Sequence, residues 1–103
     1  MPENLVAQLS RRYRKHYPDL KFLVRTAKVD GAFATTHLRD TDGTFIITFA
    51  PYLDQPLRCF LLAHEIAHGI SWNMDDEHHG QGFWRAYEKT YAIYEDFCKD
   101  THN

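Results

Sequence analysis

Leu57-Arg58-Cys59-Phe60-Leu61-Leu62-Ala63-His64-Glu65-Ile66-Ala67-His68-Gly69-Ile70 is the stretch on which the reading of this 103-residue chain turns. Its apolar residues, Leu57, Cys59, Phe60, Leu61, Leu62, Ile66 and Ile70, leave almost no polar face, and a helix that is apolar nearly all round belongs at the centre of a domain. The spacing predicts a helix from about Gln55 to Ser71, entered from a loop bracketed by Pro51 and Pro56. Downstream, residues 73–80 read as a polar loop. A last helix from about Gly82 to Lys99 follows, with Phe83, Tyr87, Tyr91, Tyr94 and Cys98 on one stripe. Upstream the period changes to two. Leu20, Phe22 and Val24 alternate with more exposed positions, a second short strand lies near residues 33–38, and Thr44–Phe49 forms a third. Asp30-Gly31 and Asp42-Gly43 are turn signals between them. Residues 3–17 form a first helix on the stripe Leu5, Val6, Leu9, Tyr13 and Tyr17, stopped by Pro18. The expected domain, spanning 1–103, is α+β: an N-terminal helix, a three-stranded, mainly antiparallel meander, a central helix and a C-terminal helix.

His64, Glu65 and His68 sit inside the helix where polar groups are most costly. Buried imidazoles and a buried carboxylate need partners. Residues four apart lie one above the other, so His64 and His68 can share one zinc ion. Glu65 lies about 100° further round, poorly placed as a ligand but able to reach a water on that metal. A zinc site of this kind needs a third protein ligand. Ser71 and Met74 stand where a metzincin would have glycine and histidine, which excludes that class. His79, its neighbour His78, and Glu88 on the last helix remain as candidates.

His64-Glu65-x-x-His68 followed by His79-Gly80-x-x-Phe83-Trp84 resembles the SprT-like zinc metallopeptidases and their minimal bacterial relatives, over about residues 57–98. The resemblance implies a minimal zincin-like domain with one zinc per chain and His79 as third ligand. Gly80 and Gly82 would allow the sharp backbone turn that folds His79 over the central helix, and Phe83 and Trp84 would anchor that turn in the core. The expected activity is that of a mononuclear zinc metalloendopeptidase. His64, His68 and His79 hold zinc, which lowers the pKa of a bound water to about 7, and Glu65 acts as general base. A protein or peptide substrate would add to Thr44–Phe49 as the sheet edge above the helix. His78, Tyr52 and Tyr87 are candidates for stabilising the oxyanion.

Two rival readings come from the same residues. A zinc-stabilised binding module without turnover would use the three ligands for folding alone, and would leave Glu65 without a role. A nucleic-acid binder would use Arg11, Arg12, Arg14 and Lys15, with Tyr13 and Tyr17 stacking on bases. The balance of 12 Lys and Arg against 14 Asp and Glu, a net charge of −2, argues against the latter. Only Cys59 and Cys98 are present, so neither a disulfide framework nor the Cys-rich ribbon of larger SprT-like proteins is expected. The resemblance therefore carries the peptidase core without the DNA-targeting apparatus. Reduced thiols, no membrane-length apolar run and no secretory leader pattern imply a cytoplasmic protein.

Overall fold

The computed structural model describes residues 4–74 and 79–101. Its elements run α1 (Leu5–His16), β1 (Phe22–Thr26), β2 (Ala34–Arg39), β3 (Thr44–Phe49), α2 (Gln55–Ile70) and α3 (Gln81–Thr101). The chain is α+β, with three helices and one mixed three-stranded sheet. Among the described residues, no helix is long and apolar enough to cross a membrane.

The sheet departs from the expected meander. Its order is β1-β3-β2, with β1 parallel to β3 from Phe22↔Phe45 to Thr26↔Phe49 and β2 antiparallel to β3 from Ala34↔Phe49 to Arg39↔Thr44. The reason lies in β3, where Thr44, Ile46, Ile47, Thr48 and Phe49 are all buried. A strand apolar on one face and shielded on the other takes the centre of a sheet, and the more exposed β1 and β2 take its edges. Among the described residues only the β2–β3 turn is a hairpin. There Gly43 has φ +73°, which glycine adopts without strain, and its N–H donates to Arg39 O at 2.9 Å. Asp42 fixes the turn by accepting from Thr44 N–H and from two nitrogens of Arg39. The Asp30-Gly31 signal marks instead a bend in the connection that carries the chain from β1 past the end of β3. Ala27 N–H donates to Phe49 O and Ala50 N–H to Phe33 O, so both flanks of that connection are tied to β3.

α2 is the hub, packing on α3, α1, β2 and β3. Cys59, Leu62, Ala63 and Ile66 enter one core with Leu9 and Tyr13 of α1, Ile47 and Phe49 of β3, and Phe97 of α3. Polar bonds pin the three helices inside this core. Tyr13 is fully buried and its hydroxyl donates to Thr90 O at 2.7 Å, while Thr90 Oγ1 donates to Ala63 O at 2.8 Å. Tyr13 is therefore a core residue, unable to stack on bases. Arg12 turns to α3, where it pairs with Asp100 at 2.6 Å and lies over the Phe97 ring.

Candidate metal centre

α2 is started and stopped by local chemistry. The Asp54 carboxylate accepts from Leu57 N–H at 2.9 Å, and Pro56 occupies the first turn, where a missing N–H costs nothing. At the far end Ser71 accepts the role of cap: its N–H and its hydroxyl both donate to Ala67 O. The helix thus ends just beyond His68. Trp72, the next residue, packs edge-on against Phe45 of β3 at 5.4 Å between centroids.

Within that helix the four-residue spacing sets the rings of His64 and His68 edge-to-face with centroids 4.7 Å apart and brings their Nε2 atoms to 3.0 Å. His79, two residues before α3, closes the group with its Nε2 3.3 Å from that of His64 and its ring 4.9 Å from that of His68. One ligand nitrogen from each lies within 4.8 Å of the others, so the three histidines form a group able to hold a metal ion. Phe83 is the floor beneath them. It is fully buried, and its ring lies 5.0, 4.6 and 4.8 Å from the rings of His64, His68 and His79. With Ala67 and Ala86 it makes a second small core that seats the start of α3 on α2.

The donor set suits a metal. Tetrahedral coordination at the usual Zn–N length spaces ligand nitrogens about 3.3 Å apart, close to the 3.0 and 3.3 Å separations from His64 Nε2. One in-plane lone pair on His64 Nε2 cannot serve two neighbouring nitrogens well, whereas a single cation can. Burial, and secondarily the proximity of His79, pushes the His64 pKa below its ordinary value and favours the neutral ligand form.

Glu65 is 5% exposed and faces β2. Its Oε1 accepts a hydrogen bond from Thr36 Oγ1 at 2.8 Å, and the same hydroxyl lies 3.3 Å from Glu65 O. Among the described residues no cationic side chain pairs with it. Burial raises its pKa above the ordinary carboxyl value, and the Thr36 hydrogen bond draws it partly back. A cleft of about 500 Å³ opens over the group, lined by His64, Glu65, His68, Trp72, His79 and the stretch Ala32–Thr36.

Several sequence expectations change here. β3 cannot be the sheet edge over the helix, because both its sides are paired; β2 borders the cleft instead. Trp84 is 55% exposed and does not anchor the His79 turn in the core, a role Phe83 fills alone. Glu88 is exposed on α3, lines a separate groove with Phe60, Trp84, Tyr87 and Tyr91, and does not belong to the group of histidines able to hold a metal. His78 lies outside the described residues. Tyr87 stands 5.5 Å from the His64 ring, whereas Tyr52 is largely exposed and packs against Phe33. Thr36 is the site residue that spacing did not reveal, since its role depends on which strand neighbours α2.

No family model, curated protein or solved structure matches the chain. The functional reading therefore rests on the geometry of the site.

Proposed function

We propose that the chain is a zinc-dependent metallopeptidase of minimal zincin type, as its resemblance to SprT-like enzymes implies, with His64, His68 and His79 as the metal ligands. The observation that carries the proposal is the convergence of three imidazole nitrogens beside a buried carboxylate that has no cationic partner among the described residues. A purely structural site uses the ligands and has no need of Glu65, and commonly closes with a fourth protein ligand. Zinc supplies at such a site a Lewis acid that acidifies water into the neutral range.

The chain's own residues do the rest. Glu65 accepts the proton of the attacking water and holds it for the departing amine. A carboxyl whose pKa is raised toward the working pH suits both halves of that task. Thr36 holds Glu65 against β2 and so fixes the direction from which the proton is taken. The outer edge of β2 offers a peptide the backbone groups of an added strand, and Thr35 and Trp72 lie along the same cleft.

The test is Glu65→Gln. The variant should keep its metal and its fold while hydrolysis of an unfolded protein such as casein falls by at least about a hundredfold, in the range expected for losing a general base. Hydrolysis at the unsubstituted rate would remove Glu65 as the base, and no metal-dependent hydrolysis by the unsubstituted chain would remove the peptidase reading and leave the metal-stabilised module.

A further inference from the structure

A second cleft, of about 380 Å³, lies between α1 and the edge strand β1. It shares no lining residue with the cleft over the histidines. Four arginines line it, Arg11, Arg14, Arg25 and Arg58, drawn from α1, β1 and the start of α2. No carboxylate is among its described lining residues, although the chain has 14.

Three of these guanidinium groups are oriented by neutral oxygens only. Arg14 donates to Phe22 O and stacks over the Phe22 ring at 4.3 Å. Arg25 donates to Thr48 Oγ1 at 2.9 Å. Arg58 donates to Leu53 O, Pro51 O and Thr26 Oγ1. Each is held in place with its charge uncompensated among the described residues, and like charges gathered at one cleft repel one another. A surface that merely needed solubility would intersperse the two signs.

Ser10 provides the independent sign of a ligand. It is 3% exposed, it lines the same cleft, and its Oγ is buried with no hydrogen-bond partner among the described residues. A buried hydroxyl left unpaired costs about 1–3 kcal/mol, so native proteins rarely keep one without use.

We propose that this cleft is a phosphate-binding site, in which Arg14, Arg25 and Arg58 engage the phosphate oxygens and rotation of the Ser10 side chain brings its buried hydroxyl to one of them. Planar guanidinium groups match phosphate in geometry as well as charge. The chemistry is shared by free phosphate and by a phosphate monoester, and exposed Leu23 on the rim would contact the organic part of the latter.

The test is amide NMR of the full chain as purified, in which phosphate bound through metal at the histidines would shift Ala67 and Gly69 instead. Inorganic phosphate and phenyl phosphate are titrated separately, against sodium chloride at equal ionic strength. Saturable shifts at Ser10, Val24 and Arg25 are expected, absent with chloride. Arg25→Ala and Arg14→Ala should each weaken binding by roughly tenfold or more, the loss expected for one charge-assisted contact. Ser10→Ala, which breaks no hydrogen bond among the described residues, should weaken it several-fold. Tighter binding of phenyl phosphate assigns the site to a monoester, and equal binding assigns it to free phosphate. Shifts matching the chloride control, or substituted chains that bind as the unsubstituted one does, would overturn the proposal.

Discussion

Replacing Thr36 by valine removes one hydroxyl at nearly constant volume and leaves the Glu65 carboxylate without its hydrogen-bond donor. In the structure that bond is 2.8 Å long and Glu65 is 5% exposed, so water cannot easily substitute. A hydrogen bond to a charged group contributes about 1.5–3 kcal/mol, and Thr36→Val should lower the unfolding free energy by an amount in that range. Thr36→Ser keeps the donor and should recover most of it. Glu65→Gln replaces the carboxylate by a neutral amide, for which the same hydroxyl is worth only about 0.5–1.5 kcal/mol. The double variant should therefore be less unstable than the sum of the two single changes, with a coupling of about 1–2 kcal/mol. Urea unfolding of the four metal-free proteins at one neutral pH measures that coupling directly. Additivity to within about 0.5 kcal/mol would refute the reasoning, because residues that act on each other cannot be independent.

Two further outcomes follow from the packing of α2. Burial pushes the Cys59 thiol up to about 11, with the nearby Cys98 adding to the effect, and Cys59 is 3% exposed. A thiol whose folded pKa is raised binds its proton more tightly when folded, so its contribution to stability is intact below the unfolded value and is lost as pH rises toward 11. Cys59→Ala should accordingly shrink the alkaline fall in unfolding free energy, read from urea titrations, by on the order of 2 kcal/mol, and an unchanged fall would contradict the burial argument. Gly69 lies inside α2, and a methyl group there would meet Leu20 Cδ1 at 3.4 Å and Phe45 Cδ2 at 3.5 Å, the limit of ordinary contact. Gly69→Ala should therefore gain part of the helix propensity difference, about 0.5–1 kcal/mol, read as a higher Tm; a lower Tm would show that Leu20 cannot give way.

What the sequence made legible is what depends on short spacings. His64 and His68 share a helix face because four residues make one turn, and the apolar run around them marks α2 as central whatever lies beyond it. His79 came instead from the resemblance of His79-Gly80-x-x-Phe83-Trp84 to the second SprT-like segment, with the glycines and Phe83 in support. The strand order was not legible. Alternation tells which faces are apolar but not which strand lies between the other two, and β1 reaches its parallel place beside β3 only through a connection that no local turn signal describes. The partner of Glu65 was hidden for the same reason. Thr36 is one of two consecutive threonines in an unremarkable strand, and it becomes part of the site only once β2, rather than β3, is the edge over α2. Trp84 shows the opposite error: its size suggested burial, but one step round the helix from Phe83 it faces outward at 55% exposure. The Arg11–Lys15 run likewise reads as one basic patch, yet Arg12 pairs with Asp100 on α3 while Arg14 crosses to β1.

The central claim is that His64, His68 and His79, and not Glu88, hold one zinc ion. Metal content of the purified chain, alone and with His79→Ala or Glu88→Ala, tests it most directly. One zinc per chain, retained with Glu88→Ala and lost with His79→Ala, is the predicted result. Zinc retained in full with His79→Ala, or lost only with Glu88→Ala, would contradict it.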